Sequence, residues 1–294
     1  MSYFAKCFLT NTRVITAELC PPKGADLAEF MKNAAYLKNC VDAVNVTDNQ
    51  RSVLRLSSLF ASHALKLIGI EPIMQMTCRD RNALAIQSDL LGANSLGIKN
   101  ILCLTGDPIR VGDHPDAKSV FEFNSEGLIK TVRGLNNGEA ASGVKINSKT
   151  DFFIGAVANP AVIALEKEVE KMARKIDAGA KFFQTQPVFN LDQYEKFSRL
   201  APKGAKILMG VLALKGPKMI DFLNNNVAGI KVPDELRQRF MKASEKGKEW
   251  LEEESITHAA ELAKIYYKNG DGIHLMSIQR EDLIPKIIKR MKEI

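Results

Sequence analysis

Along this chain, short apolar and β-branched runs alternate with longer stretches in which apolar residues recur at helical spacing. The first run, Val14–Cys20, precedes a helical pattern over Asp26–Leu37. The next three runs are Ala43–Thr47, Pro72–Thr77 and Asn100–Leu104. Their predicted helices cover Val53–Leu67, Asn82–Leu96 and, after a polar loop, Ser125–Leu135. The remaining runs are Phe152–Ala158, Lys181–Thr185, Lys206–Val211 and Gly272–Ser277. Helices are expected over Pro160–Asp177, Leu191–Leu200, Pro217–Asn224 and Glu281–Lys292. Two more helices, Pro233–Lys246 and Lys248–Lys268, are predicted between the last two runs. Pro233 followed by Asp234 and Glu235 has the composition of a helix start.

Eight strand–helix units predict an α/β fold: a single (β/α)8 TIM barrel with extra helices between strands 7 and 8. Parallel strands follow from the alternation, because each return crosses through a helix. A doubly wound open sheet is the competing architecture, and it usually has a glycine-rich first turn. Here Val14–Cys20 runs into Pro-Pro-Lys-Gly, and no G-x-G-x-x-G or G-x-x-x-x-G-K-[ST] motif occurs. No linker divides the chain, so residues 1–294 are expected to form one domain.

Composition narrows the class. With 46% hydrophobic and 26% charged residues in 294, the chain is neither disordered nor low-complexity. No apolar run reaches the roughly 18–20 residues that span a bilayer, and the first residues lack the pattern of a signal peptide. The net charge is +7, but the basic residues are dispersed. The densest cluster, Lys286–Lys292, reads as the solvated face of an amphipathic helix rather than a nucleic-acid surface. Five cysteines, Cys7, Cys20, Cys40, Cys78 and Cys103, contain no C-x-x-C pair. That argues against a disulfide framework or zinc ribbon and for a reducing, cytoplasmic compartment. Cys20, Cys78 and Cys103 are expected to pack as small hydrophobes. Cys7 is left as an exposed ligand or thiol.

Barrels of this kind place their chemistry at the carboxyl ends of the strands. Glu18 lies there in strand 1, and a carboxylate in an apolar run is costly unless paired or protonated. The other strand ends carry Thr47-Asp48-Asn49-Gln50, Gln75 and Thr77, Thr105-Gly106-Asp107-Pro108, Asn159, Gln184 and Gln186, and Ser277-Ile278-Gln279-Arg280. Each has a structural alternative: Glu18 could pair with a helix lysine, and Asp107 before Pro108 could simply open a turn. The four histidines are scattered, without metal-ligand spacing. No lysine is expected at a strand end, which disfavours Schiff-base chemistry. What remains is carboxylate acid/base chemistry in an amide-lined pocket suited to a flat heteroaromatic ligand.

Six segments carry a resemblance. They are Ala-Glu-Leu-Cys-Pro-Pro-Lys at 17–23, Val-Asn-Val-Thr at 44–47, Met-Thr-Cys-Arg-Asp at 76–80, Leu-Thr-Gly-Asp-Pro at 104–108, Asp-Ala-Gly-Ala at 177–180 with Thr-Gln at 185–186, and Ile-Gln-Arg at 278–280. In this order they resemble the signatures of 5,10-methylenetetrahydrofolate reductases. The resemblance implies a barrel flavoprotein that binds FAD and passes a hydride from reduced flavin N5 to the one-carbon unit of methylenetetrahydrofolate. It implies that Glu18 is the general acid and that Asp107 stabilises the folate cation and tunes the flavin. Gln186 and Arg280 would hold folate. The implied flavin contacts are Thr47, Gln75, Thr105, Gly106, Asp107, Phe121, Glu122, Asn159, Glu168, Lys171 and Lys175.

Departures from the family pattern fall at Gln75, at Thr105, over Gly155–Asn159 and near Met219, largely where a nicotinamide would stack. Asp48-Asn49-Gln50-Arg51 and Asp113-His114-Pro115 look like a branch found in anaerobes of the acetyl-CoA pathway, in which a small partner subunit is common. The electron donor is therefore open between NAD(P)H and a partner redox protein, and homo-oligomers are allowed for. Two rivals stand beside this reading. One is a pterin-binding barrel methyltransferase that donates methyl groups to a corrinoid protein. The other is a folate- or flavin-binding scaffold without turnover.

Overall fold

The computed structural model describes residues 1–227 and 229–294. Eight parallel strands close into a barrel in sequence order: β1 (Val14–Leu19), β2 (Ala43–Val46), β3 (Pro72–Thr77), β4 (Asn100–Leu104), β5 (Phe153–Ala158), β6 (Phe182–Pro187), β7 (Lys206–Leu212) and β8 (Gly272–Met276). Closure is made by β1 against β8, with Thr16 opposite His274. The expected (β/α)8 barrel is thus observed. Helices α2 (Ala28–Leu37), α3 (Ser58–Leu67), α4 (Ala83–Ser95), α5 (Ser125–Asn136), α6 (Leu165–Ala178), α7 (Leu191–Leu200), α8 (Pro217–Asn226) and α11 (Leu283–Glu293) surround it. Helices α9 (Asp234–Lys246) and α10 (Lys248–Asn269) form the anticipated insertion before β8.

Strand alternation sorts the side chains into two sets. Ala17, Leu19, Val44, Val46, Met74, Met76, Ile101 and Cys103 pack outward into the main core shared with the helices. Val14, Ala43, Ile73, Leu102, Phe182 and Leu208 form a second cluster inside the barrel. Gly155 makes room for this filling, since a Cβ there would lie 2.3 Å from the Phe182 ring.

The inner cluster is sealed by a helix that the sequence pattern did not predict, α1 (Tyr3–Leu9). Seven residues are too few to show amphipathic periodicity. The helix forms because Ser2 caps it, accepting from the Ala5 N–H at 3.0 Å, and because Phe4 and Phe8 insert against Phe153 and Phe182. Cys7 belongs to this plug at 5% exposure. The expectation of an exposed thiol is therefore corrected, and burial raises the pKa of that thiol.

Two helices start later than their hydrophobic spacing suggests. Helix α3 begins at Ser58 rather than Val53, because Asn49, Arg51 and Ser52 take positive φ values and turn the chain first. Helix α6 begins at Leu165 rather than Pro160. There the Asn159 side chain accepts from the Ala161 N–H at 3.1 Å and holds an irregular entry.

Candidate active site

At the carboxyl mouth of the barrel lies a cavity of about 870 Å³. Its floor is a hydrogen-bonded polar belt above the inner apolar cluster. Gln184 and Asn45 exchange amide hydrogen bonds at 2.6 and 3.0 Å, and Gln184 also donates to the Thr16 hydroxyl at 3.2 Å. Thr16 lies 2.9 Å from His274 Nδ1. Burial pushes the His274 imidazole down to about 3, so it is neutral at ordinary pH. The belt is fully buried and internally satisfied, so Gln184 is a structural floor residue although it shares a strand face with Gln186.

Glu18 stands above this floor at the end of β1 and lines the cavity. Gln50 Nε2 donates to Glu18 Oε1 at 3.1 Å. Burial raises the Glu18 pKa, and the charge of Glu281 adds to the effect. The Gln50 and Gln75 amides oppose it. Opposite, the loop after β4 brings Thr105, Gly106 and Asp107 to the rim. Gly106 is required there: its φ is +94°, and a Cβ would meet the Thr77 and Arg79 side chains at 3.1 and 3.2 Å.

A third wall comes from α6. Glu168 and Lys171 are 3.5 Å apart, and Glu168 Oε1 accepts from the Asn159 N–H at 3.0 Å. Lys175 Nζ donates to the Val157 carbonyl at 2.6 Å, and burial lowers its pKa. Spacings of three and seven residues put Glu168, Lys171 and Lys175 on one helix face, and that face lines the cavity. Arg174, not anticipated from sequence, lines it too and pairs with Glu126 at 3.4 Å.

The structure thus brings Glu18, Gln75, Thr105, Gly106, Asp107, Asn159, Glu168, Lys171, Lys175 and Gln186 to one cavity. Four anticipated residues lie outside its lining. Thr47 is buried at the end of β2, and its hydroxyl has no partner. Phe121 adopts a φ of 45° in the loop before α5. Glu122 accepts from the Ala83 N–H at the start of α4 at 2.6 Å. Arg280 is ion-paired to Glu252 at 2.6 Å and to Asp282 at 2.8 Å.

Sequence reasoning did not single out Arg79. Its guanidinium is 1% exposed, pairs with Asp80, and donates to the backbone carbonyls of Asn49 at 3.1 Å and Asp107 at 3.4 Å. Within the polar string Cys-Arg-Asp-Arg nothing marked it as buried. Lys215 also escaped the reading, although it lies three residues beyond β7. Among the described residues, no group of three His, Cys, Asp or Glu side chains is placed to hold a metal ion. No described helix is long and apolar enough to cross a membrane.

A family model and the curated relatives agree on the family. Residues 4–292 match the family model described as Methylenetetrahydrofolate reductase. Methylenetetrahydrofolate reductase 1 of Schizosaccharomyces pombe is 22% identical over 231 residues, covering 76% of this chain and 36% of the relative. A probable methylenetetrahydrofolate reductase (NADPH) of Caenorhabditis elegans is 22% identical over 80% of this chain and 34% of its own length. The chain therefore spans about a third of the length of these curated relatives. A Clostridium thermocellum protein described as binding two copies of 5-methyl-5,6,7,8-tetrahydrofolic acid shares the fold, with a TM-score of 0.65 and 17% identity over 99% of this chain and 98% of that one. An oxaloacetate acetylhydrolase shares it more loosely, with a TM-score of 0.50 and 10% identity over 71% of this chain and 70% of that one.

Proposed function

The chain belongs to the methylenetetrahydrofolate reductase family, and from that premise we propose that it reduces 5,10-methylenetetrahydrofolate to 5-methyltetrahydrofolate using bound FAD. The observation that carries this reading is Glu18: a carboxyl at the carboxyl end of β1, inside the cavity, shifted by burial toward its protonated form. A group with a raised pKa is suited to give up a proton near neutral pH.

The residues present fit FAD. The cavity has the size of a cofactor site. Lys171, Arg174 and Lys175 supply positive charge along one wall for a pyrophosphate. When bound, reduced FAD supplies the hydride, from N5, to the one-carbon unit.

The side chains divide the remaining work. Glu18 gives its proton to the folate so that the imidazolidine ring opens to an iminium. Asp107, across the mouth, stabilises the resulting cation. The Gln186 amide offers both donor and acceptor to the pterin edge. Arg280 binds a carboxylate of the folate tail by exchanging its Glu252 partner. The electron donor is NAD(P)H or a partner redox protein. The five free cysteines fit a reducing cytoplasm. Residues 1–294 are proposed to act as one catalytic domain.

The first experiment is the visible spectrum of the purified protein, with FAD supplied, before and after anaerobic NADH. A flavin spectrum is expected, and bleaching would identify direct hydride acceptance from NADH. Glu18→Gln should retain FAD and lose folate turnover. A protein that neither carries nor takes up FAD would overturn the reading in favour of the corrinoid-linked methyltransferase.

A further inference from the structure

We infer that Gln50 is a positioning residue: its amide holds one oxygen of the Glu18 carboxyl, so that the other carries the acid's proton into the cavity. The inference rests on the proposed general-acid role of Glu18. Gln50 Nε2 donates to Oε1 at 3.1 Å, and an amide nitrogen can only donate. Oε1 is therefore the accepting oxygen, and the proton of the neutral acid resides on Oε2. Without this hold only the Gln75 amide restrains the carboxyl, and the acid presents its proton in the wrong direction for part of the time.

The backbone that delivers Gln50 is strained. Asn49, Arg51 and Ser52 have φ values of 43°, 56° and 57°, so three of four consecutive non-glycine residues are left-handed. Each costs about 1 kcal/mol or more. Such strain persists only where the surroundings fix it, and here they do. Asn49 Oδ1 accepts from the Arg55 N–H at 2.9 Å. Asp113 Oδ1 accepts from the Leu54 N–H at 2.9 Å. The buried Arg79 guanidinium donates to the Asn49 carbonyl, and the Ser52 hydroxyl reaches the Asp107 and Pro108 carbonyls at 3.2 and 3.0 Å. Arg79 also reaches the Asp107 carbonyl. The turn that aims Gln50 at Glu18 is thus bolted to the loop that carries Asp107, which fixes the two acids relative to one another.

The groups around Glu18 are the amides of Gln50 and Gln75, the Cys20 thiol and the Glu281 carboxyl. Gln50 and Gln75 stabilise the charged form, whereas Glu281 and burial disfavour it. Removing the Gln50 donor should therefore move the titration of Glu18 upward. A purely structural role for Gln50 would not do this.

The test uses Gln50→Met, which keeps the length of the side chain and removes the donor. The infrared carboxyl C=O band of Glu18, identified by its loss in Glu18→Gln, is followed against pH in the FAD-loaded full chain. In Gln50→Met the band should broaden and its midpoint should move to higher pH. The kcat for methylenetetrahydrofolate should fall about 10- to 100-fold, the range expected for a misaimed group, with KM and FAD affinity within about twofold. Gln50 is exposed at the rim, so retained FAD binding reports an intact fold. An unchanged band and midpoint in Gln50→Met would overturn the inference. If the wild-type chain binds FAD yet does not reduce the folate, the proposed function fails instead, and the infrared titration still decides whether Gln50 holds Glu18.

Discussion

Arg81 grips Asp48 with both terminal guanidinium nitrogens, at 2.9 and 3.1 Å, beside the cavity that Asp48 lines. Asp48 is 3% exposed and also accepts from the Thr77 backbone N–H at 2.9 Å and the Thr77 hydroxyl at 2.8 Å. One carboxylate thereby joins the end of β2 to the end of β3 and to the residues that open α4. A buried carboxylate with four donors is committed to structure. Asp48→Ala removes both of the contacts Arg81 makes to Asp48, leaving it only Asp89 at 3.0 Å, and strands two Thr77 donors. It should lower stability by about 3–5 kcal/mol, read by urea unfolding. Adding Arg81→Met should cost less than the two single losses added together, because both substitutions remove the same Arg81–Asp48 contact. A single variant as stable as wild type would show that the pair is not a structural tie.

The aromatic plug offers a second test, far from the cavity. Phe4 is fully buried and packs edge-on to Phe8 and Phe182, each at 5.1 Å between ring centres. Phe4→Ala should cost about 3–5 kcal/mol through lost burial and the void left behind. FAD affinity should change little, because the plug lies at the opposite end of the barrel. A loss of FAD binding in a folded Phe4→Ala protein would mean that the two ends are coupled.

Most of the barrel was legible because its strands are short, largely apolar runs and its helices are apolar on one face. The failures have local physical causes. The segment from Val53 to Leu56 carries Val53, Leu54 and Leu56 at a spacing that imitates a helix. The left-handed turn that prevents the helix rests on hydrogen bonds from Arg79 and Ser52, which no local pattern reveals. Helix α1 is stabilised by rings from β5 and β6, far away in sequence. Within the site, Glu18, Gln75, Asn159 and Gln186 reach the cavity from strand ends, whereas Thr47, also at a strand end, does not line it. Arg280 pairs with Glu252 from an insertion helix, a contact that the sequence does not encode locally. Gln50 lay inside the Asp48–Arg51 run already singled out, but its contact with Glu18 depends on the turn.

The cationic wall of α6 should control cofactor affinity. Lys175 is half-buried with its ammonium against the Val157 carbonyl, and desolvation lowers its pKa. A pyrophosphate beside it would relieve that penalty by pairing the charge. Lys175→Met should therefore weaken FAD binding about 10-fold or more, the loss of one charge-assisted hydrogen bond. Lys171→Ala, at an exposed position, should have a smaller effect that fades with added salt. Fluorescence titration of FAD into apoprotein measures both, and equal affinities for wild type and Lys175→Met would remove α6 from the cofactor site.

Stability should decline in mild acid because two histidines are buried as neutral rings. His258 lies parallel to Phe189, with ring centres 6.2 Å apart, and its Nε2 has no partner. Burial lowers its pKa to about 4, and burial lowers that of His274 to about 3, against 6.5 for a free histidine. Between those values the unfolded chain binds more protons than the folded one. Stability is therefore fully present above pH 6.5 and lost as pH falls toward 4, by about 1.4 kcal/mol per pH unit for each ring. The raised pKa values of Glu18 and Glu281 act in the opposite sense, so the informative quantity is a difference between variants. His258→Phe keeps a ring beside Phe189 and removes one titrating group. Its unfolding free energy, measured in urea from pH 7 to 4.5, should fall less steeply than that of wild type by about 1.4 kcal/mol per pH unit in the lower part of that range. Parallel curves would show that His258 carries its proton in the folded protein as readily as in the unfolded chain.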